Sequence, residues 1–296
     1  MSNNPFSIEK AIGIRQPSTA NLMISSIDRV LFGDTPWNFS IIKPNSIFNG
    51  FFTRIGATEV VLDWAIPNIS NDISNNYLSI LDTSGNITHP ITLPDGFYTV
   101  EEALDTIVNL ANAAFGGTNF SIVVDGGQVQ LRHAGSTVGI SNTNLSRMLS
   151  LYQGAVFKTV FPIFSPDLRF WKYLDFISPQ LTYNQDLKDA STNEQVRDVL
   201  CRWYMTWDNP VNNDGYGFPI LMGYTPFTCR RLFSPPKQIK WDNTQPVGQI
   251  SFEVYGYASG LTLNLALTSG VLLSQIYQGI ENYNTDWYMT LQVSEV

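Results

Sequence analysis

Charge is what this sequence has least of. Charged residues fill 14% of its 296 positions, where about a quarter is usual for a soluble domain. An exterior so poor in charge is covered either by uncharged Asn, Ser, Thr and Gln or by neighbouring subunits, and 13% aromatic residues tilt the expectation towards a protein that works assembled. The charges present are acidic in balance, 25 Asp and Glu against 17 Lys and Arg, for a net −8. Nucleic-acid binding needs clustered cations to displace counterions from phosphates. Arg230-Arg231 is the nearest thing to a cluster and is expected at a strand end, so no direct contact with nucleic acid is expected.

Cysteine and histidine are scarce too, with two of each. Cys201 and Cys229 do not make a disulfide framework. Both are expected to be reduced, with Cys201 on the apolar face of Val199–Trp207, as suits synthesis in a cytoplasm. His89 precedes Pro90 and His133 ends a strand, with no cysteine or acidic pair beside either in the sequence. A zinc site is therefore not expected, and little is left for proton transfer near neutral pH. No G-x-S-x-G elbow, P-loop or H-E-x-x-H motif occurs.

Carboxylates are the remaining chemistry. Glu101-Glu102 belong to a helix start, and Asp186, Asp189, Glu194 and Asp198 lie in a polar stretch, 184–198, expected to be a loop or short surface helix. Asp208, Asp214 and Asp242 are loop acids beside aromatics, a neighbourhood where calcium or sugars bind, although plain surface is the commoner reading. No catalytic, cofactor-binding or metal-binding residue is assigned, and an enzyme is not expected. Long apolar runs are also missing. Gly260–Leu273 is the most apolar stretch, but it is too short for a membrane span and is interrupted by Thr262, Asn264, Thr268 and Ser269. Met1–Ala20 has no apolar core of a secretory signal.

What the sequence does have is alternation. In Thr58–Ile66 the residues Val60, Leu62, Trp64 and Ile66 face one way and Glu59 and Asp63 the other. Gly248–Tyr255 sets Ile250, Phe252 and Val254 against Gln249, Ser251 and Glu253, and Asp286–Glu295 sets Trp287, Met289, Leu291 and Val293 against polar partners. One dry face and one polar face per strand is the pattern of antiparallel sheets packed face to face. Weaker strands are expected at Leu22–Val30, Trp37–Ile42, Tyr77–Leu81, Ile87–Leu93, Phe120–Val124, Gln128–Arg132, Val138–Ile140, Lys172–Ile177, Val199–Trp207, Phe218–Met222 and Gln238–Trp241. Trp203, Trp207 and Trp287 fall on apolar strand faces and are expected in the core.

One segment breaks the period. From Thr99 to Phe115 apolar residues recur at Val100, Ala103, Leu104, Ile107, Val108, Ala111 and Phe115, the spacing of an amphipathic helix. Thr99 and Glu102 form a capping box at its start. The fold class expected is all-β, a single jelly-roll β-sandwich with a small α+β insertion domain containing one helix. The expected division is an N-terminal arm at 1–20, the first part of the jelly roll at 21–82, the inserted domain at 83–150 and the remainder of the jelly roll at 151–296.

The segment Asn49–Gly56 running into Glu59–Ile69, then Ile91–Thr99 with its helix, Pro236–Trp241 leading to Val247–Tyr255, and the last strand Asp286–Glu295 resemble the minor, vertex-type capsid proteins of virophages and polinton-like double-stranded DNA viruses. The resemblance spans 21–150 and 230–296. It departs at Tyr255-Gly256-Tyr257, where the family has an acidic residue before a glycine turn, and in the Gly260–Gly279 excursion that follows. It implies a penton: a minor capsid protein with a single jelly roll, five copies at each icosahedral vertex, an inserted domain at the outer surface, and contacts with the neighbouring major capsid protein. It implies no catalytic residue and no cofactor, and a place in the virion after synthesis in the host cytoplasm. The alternative expectation is a glycan- or receptor-binding spike or attachment module, read through loop aromatics such as Trp37 and Tyr216.

Overall fold

The structure, a computed structural model, describes residues 19–29, 31, 34–43, 47, 52–83, 86–182, 199–205, 212–240, 248–258, 270–277 and 285–294. The arm up to residue 18, the polar stretch 184–198, Trp207, Asp208, Trp241, Asp242 and most of the 260–279 excursion lie outside the described residues.

The strands in chain order are β1 (Thr19–Ser25), β2 (Asn38–Ile42), β3 (Arg54–Trp64), β4 (Tyr77–Asp82), β5 (Ile87–Thr92), β6 (Phe120–Asp125), β7 (Gln128–His133), β8 (Val138–Ile140), β9 (Phe157–Lys158), β10 (Val160–Pro162), β11 (Trp171–Ile177), β12 (Val199–Tyr204), β13 (Phe227–Leu232), β14 (Ile239–Lys240), β15 (Gln249–Ala258), β16 (Val271–Leu272) and β17 (Asp286–Ser294). The long helix is α1 (Val100–Phe115), with short helical turns at Asn144–Met148, Pro179–Thr182 and Leu273–Ile276.

Two sheets build a sandwich. One runs β1–β17–β3–β13, with β14 also on β3; the other runs β12–β11–β15–β16, with β2 also on β15. Strand β17 occupies one edge of β3 along its length, so β13 and β14 share the other edge as one interrupted strand. Leaving the two-residue β16 aside, the strand order is first–eighth–third–sixth in one sheet and second–seventh–fourth–fifth in the other. That is the jelly-roll order, and every pairing is antiparallel.

The alternation puts the core between these sheets. Trp287 stands at its centre, fully buried, with Phe39, Phe176 and Phe252 at ring distances of 5.4, 5.0 and 5.6 Å. Its indole N–H donates to the carbonyl of Pro36 at 2.6 Å, which satisfies the polar edge of a buried ring. In β3 the inward set changes phase: Ile55 and Ala57 lie on one side of a bulge, and Val60, Leu62 and Trp64 on the other. The bulge falls between Thr290 and Leu291 of β17, which face Glu59 and Ala57, so Thr58 is the extra residue. The alternation is regular only after Thr58 for this reason.

Some expectations are corrected. Phe218–Met222 makes no strand, only an isolated bridge of Pro219 to Asn213, because its backbone folds round the Asp214 carboxylate. The first strand stops at Ser25 and passes into a 3-10 turn, Ser26–Asp28, capped by the Ser25 hydroxyl. Arg230 and Arg231 sit within β13, opposite Val61 and Val60 of β3, not at a strand end. Strand β15 runs on through Tyr255–Tyr257 to Ala258, where Trp171 and Leu273 cross Gly256 closely.

Between β3 and β11 the chain leaves the sandwich and builds two further sheets, β5–β4–β8–β9 and β10–β7–β6. Their hydrogen bonding runs from Tyr77 to Pro162, so strands on both sides of 83–150 join the unit: β4 pairs with β5 and β8, and β9 and β10 pair with β8 and β7. Helix α1 lies against β5 and β6 and buries Val100, Ala103, Leu104, Ile107 and Ala111. Thr99 and Glu102 form the capping box, and Gly116, at φ +68°, ends the helix. The apolar Leu145–Leu151 begins as a short helix, Asn144–Met148, with its own box from Thr143 and Ser146.

Candidate functional site: subunit faces and a docked insertion

Of the acids and aromatics weighed from sequence, Glu101, Asp214 and Tyr216 meet at the junction between the sandwich and the inserted unit. The loop before β13 reaches across to the first turn of α1. The Asp214 carboxylate accepts from the backbone N–H of Glu101 at 3.0 Å, and from Tyr216 and Phe218 at 3.1 and 2.8 Å. In return the Glu101 carboxylate accepts from the Gly215 N–H at 2.6 Å, and the Tyr216 hydroxyl donates to Asp105 at 2.5 Å. A negative group at a helix N-terminus meets unpaired donors and the positive end of the helix dipole. Desolvation raises the Tyr216 hydroxyl above its ordinary value, and its bond to Asp105 adds to this. Nearby, the Leu168 N–H donates to the Tyr224 hydroxyl at 2.9 Å where the insertion returns to the sandwich.

These contacts correct two expectations. Asp214 is not a loop acid open to calcium or sugar; backbone donors occupy both its oxygens. Of the loop aromatics, Trp37 is wholly buried and packs 6.0 Å from Trp64, while Tyr216 is committed to Asp105. Trp37 therefore offers no stacking platform. Trp203 and Trp287 are in the core as expected.

His89 and His133 are far apart in the sequence, yet the fold brings both to one ring. Phe115, the last residue of α1, lies 4.0 Å from His89 and 5.7 Å from His133, with Phe120 between the helix end and His133. His133 shares a 2.7 Å hydrogen bond through Nδ1 with the Ser136 carbonyl, so Nδ1 carries the proton. His133 is buried and His89 half-buried, each packed on a phenyl ring, and among the described residues no group of three or more His, Cys, Asp or Glu side chains is placed to hold a metal.

The outer face of the second sheet carries a feature sequence reasoning missed. Asp175 of β11 is fully buried and receives a two-pronged bond from Arg202 of β12 at 2.6 and 2.8 Å. The guanidinium lies 4.2 Å over the Tyr173 ring, which stacks at 4.3 Å on Tyr257, with Tyr204 at 5.6 Å. The hydrogen bond to Asp175 raises Arg202 further above its ordinary value, so it stays charged. The signal for this cluster is the register that puts Asp175 beside Arg202 and Tyr173 beside Tyr204, and the 21 residues between the two strands hid it. Tyr and Arg in this arrangement are the residue types that dominate protein–protein contacts. Cys201 is buried and Cys229 half-buried, and no disulfide joins them.

No family model matches the sequence, and no curated protein matches it significantly. Among solved structures, the chain is similar to the crystal structure of the mavirus penton protein, at 11% identity and a TM-score of 0.51, over 95% of this chain and all of that one. At that identity the likeness is one of fold: a jelly roll interrupted between its third and fourth strands by a helix-bearing unit, in this chain as a whole, has the fold of a penton protein.

Proposed function

We propose that this chain is a non-enzymatic virion structural protein, a penton capsomer that occupies icosahedral vertices as a homopentamer and contacts the neighbouring major capsid protein. The observation that carries the reading is the fold likeness to the mavirus penton protein, which extends over the insertion as well as the sandwich because it covers 95% of the chain. The low charge supports it, since subunit flanks with few charges associate at little desolvation cost. So does the Tyr173–Arg202–Tyr204 face, whose composition suits a subunit contact.

Mechanism here means assembly. Each flank contact is weak, and closure of a ring makes five of them cooperative. The two sheets supply flat faces for lateral contact. The insertion leaves between β3 and β11 at the end of the sandwich that also bears the docking loop, so the Asp214–Glu101 junction fixes its orientation on the ring. We take the inserted unit's limits at Tyr77 and Pro162, where its sheets are bonded, with the sandwich on both sides and opening at Thr19, within the 1–20 expected for an arm. Synthesis in the host cytoplasm precedes incorporation, and among the described residues no helix is long and apolar enough to cross a membrane.

Native mass spectrometry of the purified protein tests the reading. A five-subunit species at micromolar concentration, and cross-links to major capsid protein in particles, are expected. A protein that stays monomeric and does not associate with particles defeats it.

A further inference from the structure

Open strand edges are the places where a β protein pairs with another chain, and natural sheets blunt them with proline, charge or brevity. In this molecule most edges are treated so. Strands β5 and β10 carry Pro90 and Pro162, β9, β14 and β16 are two residues long, and β6 ends on Asp125. The sandwich itself has two flanks. On one, β12 and β13 lie opposite each other, as the Trp203–Phe227 contact shows, and carry Arg202, Arg230 and Arg231. On the other lie β1 and β2, which are edge strands of their sheets and contain no charged residue and no proline. Among the described residues no strand pairs with the outer edge of β1.

We propose that the β1–β2 flank is a strand-docking edge, filled by an extended segment of a second copy of this chain. The inference rests on the ring reading above and names the surface that joins its copies. Only an extended backbone satisfies the outward N–H and C=O groups of a seven-residue strand. A second copy is favoured by the surroundings of the edge. Met23 is 81% exposed, and Ile27 and Leu31, which follow it, are 56% and 48% exposed; contacts between identical chains are the more apolar class. Charge points the same way. Two copies each of net charge −8 repel at a distance, and they meet with least penalty across two strands without charges, beside which Arg29 is already paired with Asp286. One such flank per copy, pairing with a different surface of the next, is what a closed ring needs.

Hydrogen exchange read by mass spectrometry on the full chain, as dilute monomer and as assembled ring, tests this together with Met23→Lys and Asn21→Lys. A lysine on an edge strand blocks docking, and both positions are exposed on β1. The outward amides of residues 19–25 should exchange at least tenfold more slowly in the ring than in the monomer, on the order expected for newly bonded edge groups. Both variants should keep the wild-type melting temperature and lose the ring. A ring in which 19–25 exchanges as in the monomer, or one that forms undiminished in both variants, overturns the proposal and leaves the ring reading standing. Amides already slow in the monomer overturn it too, since the chain then covers its own edge. Absence of any wild-type ring defeats both readings.

Discussion

Asp175 shows how much depends on a single partner. Its carboxylate is fully buried on the outer face of the second sheet and is neutralised by Arg202 alone among the described cations bonded to it. Arg202→Ala strands that charge, and removal of one member of a buried pair costs about 3–5 kcal/mol. The urea midpoint should fall accordingly, with Asp175→Asn in the same chain restoring part of the loss. Cys201 makes a second residue-scale case. Burial pushes its thiol up, and the nearby Asp175 carboxylate pushes it further. In the unfolded chain a thiol ionises near ~8.5, whereas the folded one stays protonated. The raised folded value means this stability is intact below that pH and is lost as pH rises, by about 1.4 kcal/mol per unit. Tyr224, raised chiefly by burial, adds to the loss above ~10. Chemical denaturation should therefore show constant stability from about pH 7 to 8 and a decline above about 9, with Cys201→Ala removing the first part of the decline.

At the scale of elements, α1 is held twice, by its own cap and by the loop before β13. Thr99→Ala removes the cap bond to the Glu102 N–H and should cost about 1 kcal/mol. Asp214→Ala should act differently. It leaves the capping box intact but frees the Glu101 N–H and the turn at Tyr216 and Phe218. Hydrogen exchange should then rise in the first turn of α1 and in 212–220, with the sandwich unaffected; unchanged exchange there contradicts the docking role. Gly256 tests the packing of β15. A Cβ there would lie 2.6 Å from Leu273 and 2.7 Å from Trp171, so Gly256→Ala should destabilise by about 1–3 kcal/mol through overpacking, measured as a lower melting temperature.

For the whole molecule the relevant quantity is how copies meet. If flanks without charges join the ring, salt screens only the repulsion between copies of net charge −8. The dissociation constant of the ring should fall or stay level between roughly 0.05 and 0.5 M salt, because no attractive charge pair across the contact is weakened over that range. Sedimentation at both salt concentrations reads this directly, and a steep rise points to the arginine-bearing β12–β13 flank as the contact instead.

The sequence by itself determined the elements whose pattern is local. Strands β3, β15 and β17 follow from side chains alternating in and out, and α1 follows from its 3.6-residue stripe and a capping box three residues wide. Low charge and scarce histidine and cysteine, which argue against most catalytic chemistry, needed no coordinates either. Tertiary structure decided what depends on residues far apart meeting. Strand order, the Asp175–Arg202 pair, both histidines on Phe115 and the Asp214–Glu101 junction join positions from 18 to 275 residues apart. Their partners are fixed by register and loop course, not by neighbours in the chain. Phe218–Met222 marks the boundary between the two: its composition fits a strand, but the Asp214 carboxylate takes its backbone donor, so it wraps an acid where the pattern alone predicts a ladder.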